Sequence, residues 1–322
     1  MKPEPKSLQE AIIYFADPDN CLDYLVARRW PNGVVCPTCG ATDISFVPSR
    51  RLWQCKNRHP KCQFSVKVGT IFEDSHIPLD KWLCAMWMLA NCKNGVSSYE
   101  IHRALKITQK SAWFVLHRLR LALQVGHGAI KLGGPDSEVE VDETFIGGKA
   151  RYMHRDVHKR RIIKGRMHDK VIVMGILERG GEVRAQVLPH RRKGEVQKQV
   201  RNHVAANSAL MTDKLQSYDG LIRDYCHYVI DHAEAYVDGK VHTNGLENFW
   251  SLLKRGLKGT YISVEPFHLF RYLDEQTWRY NNRATPDNPM SDADRFNLAV
   301  SQIIGKRLTY AEVTGKVGET IN

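Results

Sequence analysis

The chain has 322 residues, 43% hydrophobic and 25% charged, an ordinary globular composition at a length that suits two or three domains. No apolar run reaches the roughly 18 residues of a membrane span, and the opening MKPEPKSLQEAIIYFADPDN lacks the charged-then-apolar profile of a signal peptide. The expectation is a soluble cytoplasmic protein with no membrane partner. Lys and Arg outnumber Asp and Glu 47 to 35, a formal charge of +12. The excess peaks between Lys149 and Lys170, where nine basic residues, Lys159, Arg160 and Arg161 among them, face only Asp156 and Asp169. Such a cluster suits a polyanion, and its bland alternative is a solvated loop.

Eight cysteines are present, and their close spacing in a reducing compartment suggests metal binding more than disulfides. Cys36-Pro-Thr-Cys39-Gly40 has the two-residue gap that lets two thiolates reach one ion, with Gly40 free to fold the backbone back beneath it. Cys55 and Cys62 form a second pair, so Cys36, Cys39, Cys55 and Cys62 are the expected ligands of a structural Zn²⁺. Six residues separate the second pair where a ribbon usually has two. His59 lies between them and is a substitute for one cysteine. A ribbon this small lacks an apolar core, so the metal would supply its folding energy. Cys84, Cys92 and Cys226 read simply as buried helix residues.

After Thr70 the pattern turns helical. Pro78 to Cys92 is one apolar helix. Ser97 and Glu100 have capping-box spacing ahead of a short helix to Leu105, and a break at Lys106-Ile107-Thr108 precedes a long helix from Gln109. Ala112, Leu116, Leu119 and Leu123 recur as a buried stripe, which leaves Gln109, Lys110, Arg118 and Arg120 for solvent or DNA. Helix, tight turn, helix is what a major-groove reader needs, although a plain three-helix bundle has the same pattern.

Gly133-Gly134-Pro135 marks a boundary. The segment Glu138-Val139-Glu140-Val141-Asp142-Glu143-Thr144 then ends a strand with an acid, followed past the basic stretch by strands at Val171 to Leu177 and Val183 to Leu188. A helix from Glu195 to Val204 precedes Ala209-Leu210-Met211-Thr212-Asp213, a short strand that also ends in an acid. Three strands, a helix and a further strand is the order of a ribonuclease-H-like mixed sheet, in which acids at the ends of neighbouring strands lie side by side. Downstream, Leu246, Trp250, Leu253 and Leu257 make a helical stripe for packing on the sheet. Glu247, Ser251, Lys254 and Lys258 make a second stripe about a quarter-turn away. Glu247 is thus a third acid at the rim, and Lys254 and Lys258 suit phosphates.

Phosphodiester cleavage needs an activated oxygen nucleophile and a stabilised leaving oxygen, which two divalent ions about 3.5–4 Å apart supply. Mg²⁺, or Mn²⁺, takes oxygen ligands and needs only a few carboxylates. The expected arrangement has Asp142 bridging both ions, Asp213 on one and Glu247 on the other. Asp219 is a rival on the second strand. Asp213 is preferred because a strand end is fixed, while Asp219 falls in what reads as the next helix.

These residues carry a family resemblance. CPTCG, FSVKVGTIFEDS, SAWFVLHRLRLAL, VDETFIGGK, MTDKLQSYDGL, HTNGLENFWSLLKRGLKGTY and RYLDEQTWRYNNR run from about residue 20 to 283. The chain resembles bacterial insertion-sequence transposases of the DDE type, in the ISXO-like group related to the Merlin elements. The resemblance implies an α+β multidomain protein: a zinc-ribbon region over 1–72, a helix-turn-helix region over 73–132, a ribonuclease-H-like catalytic domain over 133–288 and a helical extension over 289–322. It implies Mg²⁺-dependent cutting and joining of double-stranded DNA at element ends and in target DNA, by a homo-oligomer, with Asp142, Asp213, Glu247 and the following Lys254 in the site. Some members of the group place Asn in the third acidic role, which makes Asn244, on the same side of the helix as Glu247, a further metal-ligand candidate. The alternatives are an inactive, domesticated DNA-binding relative and a ribonuclease-H-like nuclease.

Overall fold

The chain divides into two units, one of residues 1–124 and 282–322, the other of residues 125–281. The computed structural model describes residues 3–124, 126, 130–147, 162–163, 166–167, 170–230 and 242–316. Among them no helix is long and apolar enough to cross a membrane.

The first unit begins with α1 (Leu8–Phe15) and α2 (Pro18–Arg29), capped by the Ser7 and Asp17 side chains. A three-stranded antiparallel sheet follows: β1 (Ile44–Val47), β2 (Leu52–Cys55) and β3 (Gln63–Phe64). Trp53 is its apolar centre, stacked on Phe64 and edge-on to Trp30. Next come α3 (Leu79–Asn91), α4 (Ser98–Leu105) and α5 (Gln109–Leu123). The Ser97–Glu100 capping box forms as the spacing predicts, and Lys106, at φ 50°, turns the chain between α4 and α5.

The second unit is built on a five-stranded sheet. It comprises β4 (Glu138–Ile146), β7 (Val171–Glu178), β8 (Val183–Leu188), β9 (Ala209–Asp213) and β10 (Cys226–Ile230), in the order β10-β9-β4-β7-β8. Between β4 and β7 lies a two-residue pair, β5 (Ile162–Ile163) with β6 (Arg166–Met167). β4, β7 and β8 form an antiparallel meander, while β9 runs parallel to β4 and β10 parallel to β9. Helix α6 (Lys193–His203) connects β8 to β9.

Val139, Val141, Ile176 and Leu210 pack with Val196 and Val200 of α6 on one face of this sheet. The other face carries α7 (Asn244–Gly259) and α8 (Leu269–Asn281), with Leu246, Trp250 and Leu253 against Val173 and Leu177. The result is three layers, helix on sheet on helix. A short edge strand, β10, was not legible in the sequence, and it corrects the reading of Cys226, which is an exposed strand residue. Asp219 is exposed, following a single 3-10 turn at Gln216–Tyr218, and is not inside a helix.

The C-terminal segment rejoins the first unit as α9 (Asp292–Ser301) and α10 (Tyr310–Thr314). Phe296 of α9 is fully buried against Phe15, Tyr24 and Trp87. Tyr310 meets Phe114 edge-on, and Lys306 donates to the Ala122 and Gln124 carbonyls at the end of α5. The packing around α5 changes its reading. Its apolar stripe is buried as expected, but Arg118 and Arg120 are buried too, at 3% and 1% exposure, and do not face solvent or DNA. Arg118 donates to the Glu73 carbonyl at 2.5 Å and lies beside the Trp82 ring. The carbonyl and ring partners offset the cost of burying the Arg118 cation.

Gly175 is where α7 meets the sheet. A Cβ there would lie 2.7 Å from Trp250 Cζ2 and 2.8 Å from Leu246 Cδ2. Gly175→Ala is therefore expected to lower unfolding stability by about 1–3 kcal/mol through overpacking, read from urea denaturation.

Candidate functional site

The first candidate centre is in the small sheet. Gly40, at φ 74°, lets its N–H donate to the Cys36 carbonyl while the Cys36 N–H donates to that of Ala41, closing a tight knuckle around the first pair. Cys36, Cys39, Cys55 and His59 place their ligand atoms all within 4.8 Å of one another. Cys36 Sγ is 3.5 Å from His59 Nε2 and Cys39 Sγ is 3.6 Å from Cys55 Sγ. A tetrahedral zinc at about 2.3 Å from sulfur and about 2.0 Å from nitrogen separates its ligands by roughly 3.5–3.8 Å, so the donor set fits. The fourth member is His59, which corrects the expectation of Cys62. With six residues in the loop, Cys62 stands at its base, its carbonyl accepting the Cys55 N–H at 2.7 Å, while the loop carries His59 back over the knuckle. Burial pushes the Cys36 thiol up, yet the backbone N–H groups of Cys39 and Thr38 and the neighbouring thiols bring it down to about 6, which favours the thiolate that a metal requires.

The second candidate centre lies at one end of the large sheet. β4 pairs with β9 in parallel, Val141 beside Thr212, so Asp142 and Asp213 are the next residues on adjacent strands. Because side chains alternate along a strand, both leave the face occupied by Val141 and point toward α7. There Trp250 Nε1 donates to Asp142 Oδ2 at 2.9 Å, and Glu247 is exposed on the first turn of α7. Burial pushes the Asp142 carboxyl up to about 6; the Trp250 and Glu143 N–H groups oppose this, and the charges of Asp213 and Glu247 add to it. Asp142 thus senses the other two acids, although the three are not drawn within 4.8 Å as the ribbon ligands are.

Several residues of this region were missed in the sequence. Glu143, on the opposite face, accepts from Tyr218 Oη at 2.5 Å, and burial foremost raises its carboxyl to about 7. Phe145 is 42% exposed with the Arg191 guanidinium over its ring. Glu140 is 1% exposed and bonded to Arg179 and to the backbone of Leu246. The alternation of the β4 segment was the signal for Glu140, two residues before Asp142; the others are tertiary contacts. Asn244 is exposed on the first turn of α7, Lys254 is half-buried and Lys258 exposed further along it, and Lys110 is exposed at the start of α5 with its ammonium over the Tyr310 ring. Lys159, Arg160 and Arg161 lie outside the described residues.

Residues 131–281 match the profile described as an ISXO2-like transposase domain, and residues 16–64 match a transposase zinc-ribbon domain. An uncharacterized transposase-like protein of Haemophilus influenzae is 31% identical over 97 residues, 30% of this chain and 78% of that protein. The chain belongs to the ISXO2-like transposase family. An uncharacterized protein in transposable element ISH50 of Halobacterium salinarum is 27% identical over 259 residues, 76% of this chain and 84% of that relative. The two profiles cover the ribbon and the large sheet of this family member separately, and the zinc-ribbon match agrees with the ligand group found there.

Two measurements follow from this geometry. Cys36→Ser, Cys39→Ser, Cys55→Ser or His59→Ala is expected to strip zinc from the purified protein, and Cys62→Ser to leave it, by mass-spectrometric metal analysis. The second concerns pH. An acid raised in the folded state stabilises the fold below its unfolded value, 3.8 for Asp142, and loses that contribution as pH rises through its folded value, about 6 for Asp142 and about 7 for Glu143. In chelator, the melting temperature is expected to fall between about pH 4 and pH 7, and Asp142→Asn to flatten the lower part of that fall.

Proposed function

We propose that the chain is a DDE transposase that binds the ends of its insertion sequence and catalyses divalent-cation-dependent DNA cleavage and strand transfer at Asp142, Asp213 and Glu247. The observation that carries this reading is the parallel register of β4 and β9, which sets Asp142 beside Asp213 on the face that α7 covers. The sheet order, an antiparallel meander extended by parallel strands beyond a crossover helix, supports a ribonuclease-H-like catalytic domain over 133–288.

Oxygen donors from two adjacent strands and a helix flank are the chemistry that Mg²⁺ or Mn²⁺ takes. When bound, a pair of such ions would supply an activated attacking oxygen and a stabilised leaving oxygen. In this reading Asp142, Asp213 and Glu247 would hold the ions, and Asn244, one turn before Glu247, would be a supplementary oxygen donor. Lys254 and Lys258, further along α7, pair with DNA phosphates.

The family carries DNA as the partner. Recognition of the ends falls to the ribbon and to α4 and α5, read as a helix-turn-helix. With Arg118 and Arg120 buried, Lys110 and the first turn of α5 are the part of that helix left for the groove, the end that such motifs present to bases. Lys159, Arg160 and Arg161 supply sequence-independent charge, and a homo-oligomer assembles on the paired ends.

Asp142→Asn is expected to abolish cleavage and joining of labelled element-end DNA in Mg²⁺ or Mn²⁺ while end binding persists in a gel-shift assay. Cleavage surviving in that variant overturns the assignment.

A further inference from the structure

Helix α7 begins without a cap of its own. Its N-cap residue, Thr243, makes no side-chain capping bond, although the first N–H groups of any helix need partners. The partner comes from the sheet: Glu140 Oε2 accepts the Leu246 N–H at 3.0 Å. A carboxylate at a helix N-terminus also meets the positive end of the helix dipole. Glu140 is 1% exposed, and a buried carboxylate persists only when its remaining lone pairs are answered.

Arg179 answers them. Its Nε donates to Glu140 Oε1 at 2.8 Å, its Nη1 to Glu138 Oε2 at 2.6 Å, and its Nη2 to the His242 carbonyl at 2.7 Å. One guanidinium thereby ties the start of β4 to the residues leading into α7. Gly245 completes the fit, since a Cβ there would lie 2.8 Å from Glu140 Oε2 and 2.3 Å from Leu177 Cδ2.

The spacing gives this contact its consequence. Glu140 and Asp142 are two residues apart on one strand face, roughly 7 Å. Leu246 and Trp250 are four residues apart on the helix, about 6 Å. Glu140 holds the first and Asp142 the second, so α7 is fastened to β4 at two matched rungs. Glu247 lies between them.

We propose that Glu140, braced by Arg179, is a positioning residue for the divalent-cation site: it fixes the first turn of α7 so that Glu247 stands opposite Asp142 and Asp213. The proposal rests on the reading of those three acids as the cation ligands.

The test uses the full chain, labelled element-end DNA and Mg²⁺ titrations, with end binding and thermal melting measured in parallel. Glu140→Ala raises the Mg²⁺ concentration for half-maximal cleavage by about 10- to 100-fold, as loss of an outer partner of a metal ligand does, and leaves end binding unchanged. Glu140→Gln, which keeps one acceptor, falls between Glu140→Ala and the parent chain. Gly245→Ala shifts the Mg²⁺ midpoint in the same direction, although alanine is the better helix former, and it decides the matter if Glu140→Ala does not fold. A parent-like Mg²⁺ midpoint in both Glu140→Ala and Gly245→Ala, with Asp142→Asn inactive, overturns the positioning role and leaves the site reading standing. A parent chain that cleaves in neither Mg²⁺ nor Mn²⁺, or an active Asp142→Asn, overturns the site reading and the proposal with it.

Discussion

The pleat of β4 is the constraint on which the second unit depends. Val139 and Val141 enter the core beneath α6, while Glu140 and Asp142 enter the opposite side beneath α7. A one-residue slip of this strand would put two carboxylates into an apolar core and two valines at the acidic end. The register is held on both sides, antiparallel to β7 over eight residue pairs and parallel to β9 over four. Carboxylates so close to an interior persist because each has an answer: Arg179 and an amide for Glu140, the Trp250 indole for Asp142, the Tyr218 hydroxyl for Glu143.

Helix α7 does two jobs from two stripes. Leu246, Trp250, Leu253 and Leu257 are buried in the core, and the neighbouring stripe holds Glu247 and Lys254 at its margin. Trp250 belongs to both, since its ring fills the space left by Gly175 and its N–H reaches Asp142. Packing and chemistry are therefore coupled on this helix.

The first unit solves a different problem. Its three short strands enclose little beyond Trp53 and Phe64, so the four converging ligands carry the ordering of the loops. Its helices reach a complete core only with the C-terminal segment, which brings Phe296 and Tyr310 from far along the chain. Helix α5 also hides two arginines that look exposed on a helical wheel, Arg118 against the Glu73 carbonyl and the Trp82 ring.

The sequence by itself determined the local elements, the knuckle at Cys36 and Cys39, and the family, because periodicity, capping spacing and short motifs are properties of neighbouring residues. The strand end at Asp213 was legible for the same reason, whereas Asp142, read as a strand end, lies mid-strand because β4 continues to Ile146 in antiparallel pairing with β7. Tertiary structure alone decided that His59 joins the ribbon ligands in place of Cys62, that Arg118 and Arg120 turn inward, and that Glu140 reaches across to α7. Each of those outcomes depends on which distant segment arrives at a given face, and a side chain's partner across a core or loop is set by packing that no local pattern encodes.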